Sequence, residues 1–377
     1  MNGRIAKNLY LCTKLRWMKK SLGFPLVIIG TLLAIGGCMR NDDEPEFPTR
    51  PIARLYVSIE SYQTDASQDA IDNVILIDPA DTVEMAIALN HNSEATGGAG
   101  IHFNPFAERV FQAGSSVNAD TTIRLMAVGA LGTLANSGRI GHAELNAMRG
   151  ITYHHTSRIL YVANNATPTT IYGFYQPMNR NGFTKPDKVL RLGAAMRPWA
   201  MVSWNDSLLV SNSGTNGGIA LYGNLAQVDS LAADFAALST IRIEGATAIR
   251  GIAFVDSLDI LVAADYGTGN SSAPVADGRI YIIEGIKAHL ATASATIVPT
   301  RTIRGALTGL TGPIDVAIDP RNGKRTIYVA DYNERKISRF SLSGNGNVAP
   351  ETTVTLDTLG NARRPFGIFL DVRGVAQ

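Results

Sequence analysis

The chain has 377 residues, 45% of them hydrophobic and 36 of them glycine. That composition excludes a disordered polymer and allows one large domain or two ordinary ones. The 34 Lys and Arg against 32 Asp and Glu give a formal net charge of +2. Six of the basic side chains and none of the acidic ones precede Cys38, so the rest of the chain carries 28 against 32, a net of −4. The basic character belongs to the amino-terminal segment, and no nucleic-acid partner is expected.

Residues 18–38, MKKSLGFPLVIIGTLLAIGGC, begin with Lys19 and Lys20, continue as an apolar run and end in small residues before a cysteine. The run is short for a membrane-spanning helix and reads as a secretion signal. Ile35-Gly36-Gly37-Cys38 resembles the lipobox of bacterial lipoproteins. The resemblance implies a signal peptide over residues 1–37, with Met18 as an alternative start, and cleavage before Cys38. It also implies palmitate-type acylation of Cys38, so that the acyl chains make the membrane a partner. Two or more chains anchor stably, at roughly 0.8 kcal/mol per buried methylene. An uncleaved signal anchor is the alternative. Residues 38–50 are acidic and proline-bearing and read as a solvated tether. Acidic residues this soon after a lipobox resemble the surface-export signal of lipoproteins in the Bacteroidetes group. The expected address is the outer membrane, at the cell surface, with a periplasm-facing leaflet as the alternative. With Cys12 ahead of the cleavage point and Cys38 lipidated, no disulfide remains, and residues 51–377 must hold together by packing.

Within 51–377 a short apolar strand ending in a small residue recurs: LYVS at 55–58, VFQA at 110–113, LYVA at 160–163, LLVS at 208–211, ILVA at 260–263 and IYVA at 327–330. Five of these follow another short strand and a turn: GIHFNP from Gly100, GITYHH from Gly150, WAMVSW from Trp199, GIAFVD from Gly251 and PIDVAID from Pro313. TTIYGFY, GGIALYG, GRIYIIE and RKISRFS supply third strands, and KVLRL, STIRI, ATIVPT and ETTVTL supply fourth strands. Four short antiparallel strands in about 50 residues describe a β-propeller blade. The first repeat lacks its opening strand, and the orphan strand at 366–372 supplies it by pairing beside residues 54–60. The predicted fold is therefore all-β, a six-bladed propeller closed by its two ends. Seven blades is the alternative, because the last interval, from Ala263 to Ala330, is 67 residues. That interval holds a loop at 267–278 and a helical or loop excursion at 287–296, and neither supplies another pair of opening strands.

The last full repeat, GPIDVAIDPRNGKRTIYVADYNERKISRFSL at 312–342, resembles an NHL repeat, and RPFGIFLD at 364–371 resembles the start of one. The resemblance implies a binding platform, with lactonase-type enzymes among the relatives of the fold.

Propeller geometry places the start of each first strand and the end of each second strand on one face, around the channel. The starting positions are Ala99, Arg149, Trp199, Arg250, Ile314 and Phe366, with Arg197 and Arg364 before prolines. The ending positions are Asn164, Asn165, Asn212, Asp265 and Asp331, followed in two repeats by Tyr266 and Tyr332. Arginine grips carboxylate or sulfate through paired hydrogen bonds, and aromatic rings stack on sugar faces. The expected ligand is a glycan, particularly an acidic one, or a protein partner. The competing reading has the arginines pair with Asp265 and Asp331 and plug the channel, with Asn and Asp as turn formers.

Signals for catalysis are weak. Lactonase relatives imply a divalent metal held by carboxylates and an asparagine. Here Asp315 is the sole carboxylate near the start of an opening strand, and clustered arginines oppose a cation. Residues 267–270 and 277–284 offer oxygens for calcium but no twelve-residue loop, so no cofactor is expected. His154-His155 reads as a solvated pair in a turn, and Trp204 as a loop residue of the opposite face or a packing anchor. A lipid-anchored binding module is the leading expectation. A propeller hydrolase or lyase of the lactonase type, or an inert scaffold in a membrane complex, are the alternatives.

Overall fold

The computed structural model describes residues 51–61, 71–115, 120–214, 217–357 and 362–373. The signal segment, Cys38 and the tether lie outside the described residues. Six small sheets stand around a common axis as a six-bladed propeller, and each innermost strand contacts the next around a closed ring. Blade 1 takes its innermost strand from the carboxy-terminal end: Pro365–Arg373 pairs antiparallel with Ile52–Ile59, with Leu55 opposite Leu370 and Ser58 opposite Gly367. The other innermost strands are Gly98–Asn104, Met148–His154, Pro198–Trp204, Ile249–Val255 and Pro313–Asp319, for blades 2 to 6 in turn.

The second strand of each blade is sandwiched between neighbouring blades on both faces, and its sequence is accordingly an unbroken apolar run. Ile159–Asn164, Ile260–Asp265 and Thr326–Asp331 are buried at every residue. Polar contacts fasten blade to blade. The Tyr328 hydroxyl of blade 6 donates to the Ala80 carbonyl of blade 1 at 3.0 Å, and Arg339 donates to the same carbonyl and to that of Thr82. Arg54 joins Asp78 to the Ala130 carbonyl of blade 2.

Two backbone devices repeat six times. The residue after each second strand donates its N–H to the carbonyl just before the innermost strand, as Tyr266 does to Ala248 and Glu60 to Arg364, at 2.8–3.1 Å. Each innermost strand also begins with a break in register, between Met148 and Ile151 or Ile249 and Ile252 for example. Such bulges re-aim side chains. The residues freed by them are Ala99, Arg149, Trp199, Arg250, Ile314 and Phe366. The next position is small in five blades because the backbones nearly touch there. A Cβ on Gly150 would lie 2.5 Å from the Trp199 carbonyl oxygen.

The structure corrects the expected strands at the outer edges. ATIVPT does not furnish the fourth strand of blade 5. Ser294–Ile297 instead adds in parallel to Ser239–Ile243 of blade 4, and Arg301–Ile303 takes the fourth position. Pro299 has no N–H to give a ladder, so the strand ends before it. Gly182–Phe183 and Leu231–Ala232 likewise add to the edges of blades 2 and 3. Three blades thus have five strands, each extra one covering an edge that would otherwise offer free backbone groups. His154 also departs from expectation. It is buried, with Nδ1 hydrogen-bonded to Ser157 Oγ at 2.7 Å and Nε2 to the Asn205 carbonyl, while His155 alone is exposed. Trp204 anchors packing: its Nε1 donates to Asp256 and its ring meets Phe254 edge-on at 5.5 Å.

Candidate functional site

The bulge residues converge at one end of the channel. Trp199 of blade 4 and Phe366 of blade 1, on opposite sides of the ring, stack with centroids 5.3 Å apart and planes 16° from parallel. The guanidinium of Arg149 sits 4.8 Å from the Trp199 ring centre and 5.7 Å from that of Phe366. Arg250, from the next blade, lies 4.4 Å from the Trp199 ring centre and 3.4 Å from the centre of the Tyr266 ring. Arg364 stands 4.8 Å from the Tyr332 ring. Ala99 and Ile314 fill the remaining two positions and are buried.

These guanidiniums are supported by rings rather than by carboxylates. Arg149 Nε, Arg250 Nε and Arg364 Nη1 are buried without a hydrogen-bond partner among the described residues. Burial pulls Arg250 down to about 10, partly offset by Tyr266 and reinforced by the nearby charge of Arg149. Arg149 is lowered by burial as well, against the pull of Glu60 and Tyr332. Glu60 itself accepts a hydrogen bond from the Tyr332 hydroxyl. Arg149 Nη1 donates to the Met148 carbonyl at 3.2 Å. Aromatic faces attract cations through their quadrupole without using the remaining N–H groups, so the cluster can still receive an acceptor such as carboxylate or sulfate.

Of the asparagines and aspartates expected on this face, Asn164, Asn212, Asp265 and Asp331 are engaged within the protein, whereas Asn165 Oδ1 is buried without a hydrogen-bond partner among the described residues. Asn164 accepts from the Ala147 N–H and donates to the Glu144 carbonyl, and Asn212 accepts from the Arg197 N–H. Asp265 accepts from the N–H groups of Thr247 and Ala248, and Asp331 from those of Thr311, Gly312 and Glu334. Each clamps the loop ahead of its own blade. Neither aspartate pairs with an arginine among the described residues, so the salt-bridged plug is not what forms. Arg197 folds back, donating to the carbonyls of Ala194 and Met196, and is exposed apart from the ring cluster.

Glu60 is the participant that inspection of the sequence did not single out. It occupies the place in blade 1 that Tyr266 and Tyr332 hold in theirs, and counting one residue past each second strand would have found it. Asp315 does border the channel, one level below the stack. Among the described residues no group of three His, Cys, Asp or Glu side chains is arranged to hold a metal ion.

No protein-family model and no curated protein matches this chain. Among solved structures, that of a candidate 6-phosphogluconolactonase from Bacteroides fragilis matches with a TM-score of 0.54 at 10% sequence identity, over 86% of this chain and 99% of that one. At that identity the likeness establishes the shared propeller fold alone.

Proposed function

We propose that this protein is a lipid-anchored, NHL-like binding module of the outer-membrane surface, held through Cys38, whose ring of arginines and aromatics takes an acidic glycan. The observation that carries the reading is the pair Arg149 and Arg250 flanking Trp199, each with a buried Nε that lacks an acceptor among the described residues. Burying an unpaired cation is costly, and a carboxylate or sulfate on a sugar would relieve that cost while the sugar face stacks on the exposed part of Trp199. The lipobox at 35–38 and the acidic tether support the location.

The test is a thermal-shift series on the purified protein with neutral and acidic oligosaccharides. A ligand at a hundred times its dissociation constant stabilises by about 2.7 kcal/mol. Stabilisation by acidic sugars that disappears in the Arg149→Ala, Arg250→Ala protein is the expected result. Equal stabilisation by neutral sugars, or survival of the effect in the double variant, refutes it. The likeness to the B. fragilis protein favours a lactonase as second reading, and hydrolysis of sugar lactones, with and without added calcium, separates the two.

A further inference from the structure

Below the Trp199–Phe366 stack lies a cavity of about 310 Å³ walled by all six innermost strands. Its wall runs from the level of Gly100 and Asp315 to Val255 and Ile318, and includes neither the stacked rings nor Arg149 nor Arg250. Most of that wall is apolar, with Val202, Ala253, Phe254 and Phe369 prominent. His102 adds an imidazole edge-on to Phe369 at 4.5 Å, kept neutral because burial pulls it down to about 3.

One group is out of keeping with this lining. At the level where the other blades place Gly100, Gly150, Ala200, Gly251 and Gly367, blade 6 places Asp315. Its carboxylate accepts the backbone N–H groups of Val316 at 3.0 Å and Ile368 at 2.8 Å, and no other donor among the described residues. Those two bonds fix the carboxylate but supply no positive charge. Burial, the larger influence, raises its carboxyl to about 7. The arrangement is a rigid, uncompensated acceptor at one end of an apolar, aromatic chamber that could hold on the order of ten waters by volume.

We infer that this chamber binds a small organic ammonium ion, its charged head on Asp315 and its apolar body against Phe254, Phe369 and Val202. An ammonium supplies the cation that the carboxylate lacks, as a charge-assisted N–H···O contact in a desolvated setting. Aromatic walls favour an organic cation over a strongly hydrated inorganic one. A metal ion would want further oxygen ligands, and the lining offers one carboxylate. This site is separate from the arginine cluster, takes the opposite charge, and does not depend on the glycan reading.

Benzylammonium chloride is the probe, titrated calorimetrically at pH 8 into the full-length protein, with benzyl alcohol and sodium chloride as controls. Saturable binding of benzylammonium, at least tenfold tighter than benzyl alcohol and at least tenfold weaker in Asp315→Asn, is expected. Methyl-labelled spectra of the unaltered protein keep the test independent of how the variant folds. Shifts at Ala253 and Val202 support the site. Absence of binding, equal binding of the alcohol, or shifts confined to Ile314 at the level of the ring stack overturn it.

Discussion

Trp199 and Phe366 meet face to face across the channel axis, 5.3 Å apart, although 167 positions separate them in sequence and they belong to opposite blades. The stack closes one end of the channel and gives both Arg149 and Arg250 their aromatic support. Phe366 is 4% exposed, so Phe366→Ala should cost about 3–5 kcal/mol in urea unfolding. Phe366→Leu keeps most of the buried volume and should cost under about 1.5 kcal/mol. If both variants are equally unstable, the aromatic stack rather than burial is the main contribution.

Arg250 should trade stability for binding. Its Nε is buried and has no partner among the described residues, and two rings lie against its guanidinium. Arg250→Met keeps a flexible stem of similar reach and removes the desolvated charge, and such replacements are often neutral or stabilising by about 1–4 kcal/mol. The variant should melt at or above the temperature of the unaltered protein and lose stabilisation by acidic sugars. A melting point lower by more than about 1 kcal/mol equivalent would mean that the cation–π contacts outweigh the desolvation they oppose.

Two channel groups tie stability to pH in opposite senses. Asp315 is raised to about 7, so the folded state holds its proton where the unfolded chain, near 3.8, has released it. Stability from this group is full below about pH 4 and is lost as pH rises toward 7. His102 is lowered to about 3, so the unfolded chain binds its proton first, and stability is lost as pH falls from about 6.5 toward 3. The two slopes overlap between about pH 4 and 6.5 and offset one another. Asp315→Asn should therefore show stability rising with pH across that window, and His102→Phe should show it falling. Urea midpoints at half-unit pH steps read both, and parallel profiles for the two variants would refute the assignment.

The six-blade count and the closing strand were legible because apolar runs sandwiched between blades leave an unmistakable residue pattern. The convergence of Arg149, Trp199, Arg250 and Phe366 was legible for the same reason: each stands at a fixed offset in its repeat, and the fold turns equal offsets into one ring. Gly182–Phe183 and Leu231–Ala232 were not legible, since two-residue strands held by backbone pairing carry no side-chain period. The clamping role of Asn164, Asn212, Asp265 and Asp331 stood in the sequence only as the competing turn-former reading. A loop-binding carboxylate and a ligand-binding one have the same sequence, and only the observed N–H partners tell them apart. His154 is a similar case, a turn residue by position whose ring reaches Asn205 of the next blade.

Those clamps give a further expectation. Asp331 is fully buried and accepts three backbone N–H groups, at 2.9–3.1 Å. Asp331→Ala leaves those donors unsatisfied and should cost about 2–4 kcal/mol, whereas Asp331→Asn retains one acceptor oxygen and should cost less. Equal losses in urea unfolding would show that charge, rather than the number of acceptors, fixes the loop.

Closure yields the last prediction. Pro365–Arg373 contributes the innermost strand of blade 1, pairs with Ile52–Ile59 and buries Phe366 and Ile368 between blades. It also receives the carboxylate of Asp315 through the Ile368 N–H. Each buried side chain of this kind contributes roughly 1.5–3 kcal/mol, and the unpaired strands left behind would present open edges. A chain ending at Arg364 should show no cooperative melting and should aggregate. Adding a synthetic peptide of residues 365–373 in excess should restore a cooperative transition whose midpoint rises with peptide concentration, because the peptide then acts as a ligand of the folded state. A truncated chain that melts cooperatively near the temperature of the intact protein would show that five complete blades and a partial sheet suffice, and that the closing strand is dispensable for folding.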